Sequence, residues 1–140
     1  MKAAVTSLAV ALLLSGCASS WPTPRLSFYH AASVADAKRE IASRPKMAGS
    51  VLAPVAYTGS MKPHLRGGEL VLLEPYIGQQ LAAGDVVSFD RGDAPNCLHM
   101  VADVKGSHVY MTGTNNRYSD GWFHVSKINW ICRAAVTMPR

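Results

Sequence analysis

The sequence predicts a single compact, mainly β domain with one short helix near its start, and three observations carry that expectation. At 140 residues the chain has room for one domain. Hydrophobic residues make up 49% and charged residues 16%, which supports a real core and excludes a disordered chain. From about residue 60 onward, short apolar runs alternate with Gly, Pro and Asp punctuation, the pattern of strands and tight turns. No internal repeat is present.

The first 16 residues stand apart from that domain. Lys2 gives a short positive region, Val5 to Leu14 an apolar run of about ten residues, too short to span a bilayer, and Ser15-Gly16 small residues before Cys17. This is the layout of a secretion signal. The run Leu14-Ser15-Gly16-Cys17 resembles the lipobox of bacterial lipoproteins, which implies cleavage before Cys17 and acylation of that cysteine. The mature chain is therefore expected outside the cytoplasm, lipid-anchored on the periplasmic face of a bacterial envelope membrane. Ala18 after the cysteine is compatible with onward passage to the outer membrane. With Lys2 removed, 13 basic residues face 9 acidic ones, a net of +4. They are scattered with no basic run, so no nucleic-acid site is inferred. Residues 17–32 read as the lipidated N-terminus and a tether, and 33–140 as the domain.

Within the domain, Ser33 can cap a helix, Asp36 sits in its first turn, and Val34, Ala37 and Ile41 recur at helical spacing up to Pro45. Glu69 to Glu74 is a short apolar run between Gly67-Gly68 and Pro75, hence a buried strand. Gly84-Asp85 turns the chain into a second, Val86 to Phe89. Leu98 to Val104 and His108 to Thr112, joined by Lys105-Gly106-Ser107, read as a hairpin, and Ile128 to Val136 as a closing strand. With Cys17 acylated, Cys97 and Cys132 remain. In an oxidising compartment they can form a disulfide closing a loop of roughly 34 residues, contributing about 3–4 kcal/mol; two free thiols are the alternative.

The candidate chemistry centres on Tyr57-Thr58-Gly59-Ser60-Met61-Lys62-Pro63, where a glycine precedes a serine and Pro63 fixes the backbone beyond it. A serine hydroxyl needs a base within hydrogen-bond reach. His30, His64, His99, His108 and His124, with Lys62 and Lys105, are the supply. Spacing alone does not choose among them, although Lys62 and His64 follow Ser60 on the same turn, and His99 and His108 fall near opposite ends of the hairpin or on different faces.

The boxes Gly59-Ser60-Met61-Lys62-Pro63, Gly67-Gly68-Glu69-Leu70-Val71, Gly84-Asp85-Val86-Val87, Leu98-His99-Met100-Val101 and Thr112-Gly113-Thr114-Asn115-Asn116, followed by Asp120, together resemble the type I signal peptidase family over residues 55–137. The resemblance implies a compact coiled β-sheet domain and a serine endopeptidase cleaving after small residues. Ser60 would be the nucleophile, and His99 the base, as in the histidine-base branch of the endoplasmic reticulum and archaea. It further implies an orienting role for Asp120, since Thr114 stands where the box has aspartate; Asp103 is the reserve. The Ser60 N–H and the Thr58 hydroxyl would serve the oxyanion, with Gly59 and Met61 beside them at the substrate. Residues around Ser60 and the strand from Leu70 would line the groove for an extended peptide. Met100 replaces the usual arginine, and Gly68-Glu69 the usual Gly-Asp. Ala48-Gly49 matches the self-cleavage dipeptide of the related SOS-type repressors but lies too close to Ser60 for that reaction. A lipid anchor instead of transmembrane segments suggests a specialised processing protease whose partners are a protein substrate and the membrane, with no cofactor. Two other classes are set beside it: a catalytically inactive peptide-binding lipoprotein of the same fold, and a metal protein using Cys97, His99, His108, His124 and Cys132, whose Cys-x-His spacing is atypical.

Overall fold

The computed structural model of the chain describes residues 24–43 and 49–136. The signal segment, Cys17 and Ala48 lie outside the described residues. The elements run β1 (Tyr29–Ala31), α1 (Val34–Ser43), β2 (Val51–Pro54), β3 (Leu70–Pro75), β4 (Val86–Phe89), β5 (Cys97–Lys105), β6 (His108–Thr112), β7 (Gly121–His124) and β8 (Ile128–Val136). Among the described residues, all the strands belong to one 8-stranded sheet ordered β2-β3-β8-β4-β5-β6-β7, with β1 paired to β8 off that path. Each of these pairings is antiparallel except β1 with β8, which is parallel.

The mainly β class, the β5–β6 hairpin and β8 agree with the sequence expectation. In α1, the Ser33 hydroxyl accepts the Asp36 N–H at 3.1 Å, the N-cap bond expected of it. The tether boundary is corrected: β1 lies within residues 17–32, and Phe28 is buried in the main apolar cluster. The Ser27 N–H donates to the Gly84 carbonyl at 2.9 Å, so this stretch belongs to the domain. The cause is apolar spacing too short to register as a strand in the sequence.

Neighbouring residues on the central strands bury into different clusters. Val86, Met100 and Cys132 belong to one, and Val87, Val101 and Ile131 to the other. Both faces of β4, β5 and β8 are therefore covered, and each fully buried aliphatic side chain contributes about 1.5–3 kcal/mol. This rigid centre carries one wall of the site.

A disulfide between Cys97 and Cys132 is not formed; both are free thiols. Cys97 pairs with Phe89 and Cys132 with Val86, so β4 lies between the two cysteine strands and the thiols face opposite ends of it. Two strand spacings amount to about 10 Å, beyond disulfide reach. Burial pushes the Cys132 thiol up to about 12, which keeps it protonated.

Candidate functional site

Ser60 is carried by the excursion between β2 and β3. Pairing continues past β2, with the Val55 N–H donating to the Glu69 carbonyl and the Gly68 N–H to the Val55 carbonyl, both at 2.9 Å. The excursion is closed at its base by the Glu69 carboxylate, which accepts the Arg66 N–H at 2.8 Å and the Gly67 N–H at 2.7 Å. Tyr57 lies against this closure so tightly that a Cβ at Gly67 would meet the Tyr57 Cα at 2.8 Å. The Glu69 side chain thus has a local role, reaching back to two backbone donors.

Gly59 turns the chain with φ +75°, a conformation that L side chains rarely adopt, and Ser60 follows it. A single tight turn then returns the chain, with the Leu65 N–H bonded to the Met61 carbonyl at 3.0 Å. Met61 and Leu65 both plunge into the main apolar cluster and pin the turn to the sheet. Met61 therefore anchors the loop as well as lining the cavity beside Ser60. Lys62 and Pro63 point to solvent and His64 is half-buried. The Thr58 hydroxyl lies 3.2 Å from Ser60 Oγ and 3.5 Å from the Ser60 N–H.

His99 arrives from the sheet. Its strand pairs it with Val87, and its side chain is only 3% exposed. Nδ1 lies 2.6 Å from Asp120 Oδ2 and 3.5 Å from Cys97 Sγ. Asp120 immediately precedes β7, its N–H bonded to the Met111 carbonyl at 2.9 Å, and its side chain is 6% exposed. Burial disfavours the imidazolium, but the hydrogen bonds to Asp120 and Cys97 and the Asp120 charge outweigh it and raise His99 from about 6.5 to about 9. With Nδ1 bonded to a carboxylate, Nδ1 is the donor and Nε2 the free lone pair of the neutral ring. No buried side-chain nitrogen or oxygen among the described residues lacks a partner, and Nε2 has none among those residues, so it is open to the cavity.

That cavity, of about 660 Å³, is lined by Thr58, Gly59, Ser60, Met61 and His99 together with apolar groups from β2, β3 and β8, including Ala53, Val71 and Trp130. The edge strand β2 and the segment 96–99 flank it. Ser60, Thr58, His99 and Asp120 are thus brought to one place. Ser60 Oγ has Thr58 as its hydrogen-bond partner, and no hydrogen bond joins it to His99.

The loop 113–120 ties the two sides together. The Asn115 N–H donates to the Ser60 carbonyl at 2.9 Å, Asn115 Nδ2 to the Gly59 carbonyl at 3.1 Å, and the Thr114 hydroxyl to the Lys62 carbonyl at 2.9 Å. Asp120 at the end of the same loop meets His99. Thr114 therefore does what an aspartate could not, since an ionised carboxylate has no proton to give to a carbonyl.

The other candidates lie elsewhere. Asp103 follows an irregularity in the β5–β6 pairing and accepts from the Val104 N–H at 2.8 Å, away from His99. His108 and His124 face each other across β6 and β7, ring centroids 5.2 Å apart, at the far end of the hairpin. His30 packs edge-on against Phe28. Met100 is 1% exposed within the apolar cluster, a position that would leave an arginine unpaired. The five potential metal ligands do not form one group, and among the described residues no three His, Cys, Asp or Glu side chains are placed to hold a metal ion. Sequence reasoning missed β2 as a cavity wall, the Glu69 closure and Arg91, whose Nη1 lies 3.2 Å from Asp120 Oδ1. The Arg91-Gly92-Asp93 turn signals a local ion pair, but nothing in the sequence joins it to a residue 29 positions away.

No family model, no curated protein and no solved structure matches the chain. No described helix is long and apolar enough to cross a membrane.

Proposed function

We propose that the chain is a serine endopeptidase of the signal peptidase type, using Ser60, His99 and Asp120 and anchored by lipid at Cys17 on the outer side of a bacterial envelope membrane. The observation that supports it best is the 2.6 Å contact of His99 Nδ1 with Asp120 in a cavity that also presents Ser60. An extended peptide would add to the free edge of β2, its carbonyl beside Ser60. Ser60 Oγ would attack that carbonyl while its proton passes to Nε2, Asp120 stabilising the imidazolium formed. The Ser60 N–H and Thr58 hydroxyl would receive the oxyanion. The proton then leaves with the amine, and water repeats the sequence to release the acyl group. The largely apolar lining would suit small residues before the scissile bond, and a lipid anchor suits one specialised secreted substrate.

The Thr58–Ser60 hydrogen bond favours the second reading, an inactive peptide-binding lipoprotein. One experiment separates them. The 140-residue chain, its Ser60→Ala and its His99→Ala variants are purified in detergent, treated with a fluorophosphonate and incubated with a small-residue peptide library. Labelling and cleavage are expected from the parent chain alone. A folded parent that binds peptides but neither labels nor cleaves would move the binding reading ahead.

A further inference from the structure

We infer that Arg91 is a positioning residue for the His99–Asp120 pair, fixing the carboxylate and opposing the charge that builds on the imidazole; this rests on the serine-peptidase reading. Arg91 sits in the turn between β4 and β5, its N–H bonded to the Ala94 carbonyl at 3.0 Å, and the next N–H, of Gly92, is held by the Asp90 carboxylate at 2.8 Å. Its guanidinium is gripped on one side by Asp93, Nε to Oδ1 at 2.6 Å and Nη2 to Oδ2 at 3.0 Å. That grip aims the remaining nitrogen, Nη1, at Asp120 Oδ1, 3.2 Å away, while Asp120 Oδ2 serves His99.

Each carboxylate oxygen of Asp120 therefore has its own donor, and the group cannot swing away from the imidazole without breaking a second charged hydrogen bond. Arg is suited to this because its planar fork holds two acceptors at once. The second consequence is electrostatic. His99 is faced by Asp120, by Cys97 Sγ, by the Phe89 ring with centroids 6.3 Å apart, and across the cavity by Ser60; Arg91 stands behind Asp120 as the nearby cation. Its charge offsets part of the carboxylate's pull on the proton, so more of the imidazole is neutral and able to accept one from Ser60. Arg91 lines the same cavity with its side chain 32% exposed, so substitution there leaves the core untouched.

The experiment follows the His99 ring by NMR against pH in the 140-residue chain in detergent micelles, with the pH dependence of Ser60 fluorophosphonate labelling beside it. Arg91→Gln keeps a donor for Asp120 and removes the charge; His99 should then titrate about one pH unit higher, and labelling at pH 7 should fall about tenfold. Arg91→Lys keeps the charge and loses the fork, so the titration should stay with the parent while labelling at high pH falls a few-fold. In the parent chain itself, the Arg91 guanidinium ¹⁵N resonances should move with the His99 midpoint. Equal titration in Arg91→Gln and the parent, an equal shift in both variants, or Arg91 resonances blind to the His99 midpoint would each overturn the inference. The ring titration does not require a reactive serine: absence of labelling in the parent sinks the peptidase reading, and the His99 midpoints still decide the role of Arg91.

Discussion

The two halves of the candidate site are held by different means. His99 stands on β5 with β4 paired along one side, and its partner Asp120 is fixed by a backbone bond to Met111; both side chains are nearly withdrawn from solvent. Ser60 stands on a glycine-started turn outside the sheet, kept in place by Met61 and Leu65 below and by the 113–116 backbone above. A base and its orienting carboxylate need a dry, fixed environment, because their proton affinity depends on it. A nucleophile needs approach from solvent, and exposure near a sheet edge supplies it. The division implies that lesions on the sheet side should change chemistry and its pH dependence, whereas lesions on the loop side should change position alone.

The strongest test of that division is Asp120→Asn. The amide can present the wrong hydrogen-bonding group to Nδ1 and cannot stabilise the imidazolium, so Ser60 acylation by a fluorophosphonate should fall about 10³-fold with the fold retained. A loss below tenfold would remove Asp120 from the mechanism. The next effect is pH dependence. With His99 raised to about 9, the neutral ring at pH 7 is about a hundredth of the total, so labelling should climb about a hundredfold from pH 7 to a plateau near pH 10. Stability should run the other way. A folded value above the ordinary 6.5 means that the pair's contribution is fully present below about pH 6.5 and is lost as pH rises through about 9. Urea denaturation of the parent against His99→Gln should therefore show a difference on the order of 3 kcal/mol at pH 6 that has vanished by pH 10. A difference that grows with pH would reverse the assignment of charge.

How much of the molecule is legible in its sequence follows the same division. The sheet side is readable where apolar runs are long or bounded: β3, β4, the β5–β6 hairpin and β8 announce themselves through Gly and Pro punctuation and β-branched residues. β1 and β2, three and four residues long, are too short to impose a period, and β7 begins with a glycine and holds an exposed Trp122. Ser60, His99 and Asp120 are singled out by the family resemblance, since five histidines offer no local reason to prefer one. What no local pattern carries is contact across the fold. Arg91 reaches Asp120 across 29 positions, and Thr114 reaches Lys62 across 52. The pairing of Cys97 with Cys132 is open in the sequence for the same reason, because strand order, which puts β4 between them, decides it.

On the loop side, Gly113→Ala is the sharper lesion. The added Cβ would sit 2.7 Å from the Ser60 carbonyl oxygen and 2.6 Å from Asn116 Nδ2, and the first of these is backbone that must move. Displacement of Ser60 by a few tenths of an ångström should cost about tenfold in labelling. The His99 titration should stay where it is in the parent chain; a shift by NMR would show that the two halves are not separable.

Thr114 offers the smallest and most specific effect. Its hydroxyl donates to the Lys62 carbonyl just beyond Ser60, on the partly exposed side of the loop, so Thr114→Val should remove about 0.5–1.5 kcal/mol of clamp and slow labelling about two- to fivefold. Thr114→Ser keeps the donor and should label like the parent. Thr114→Asp sets an ionised acceptor against a carbonyl oxygen, which repels where the hydroxyl attracted. It should therefore label more slowly than the valine variant. If aspartate instead matched or exceeded threonine, the hydroxyl clamp would not be what holds Ser60, and the acidic residue would have found a partner on the sheet side, where Arg91 already holds the neighbouring carboxylate.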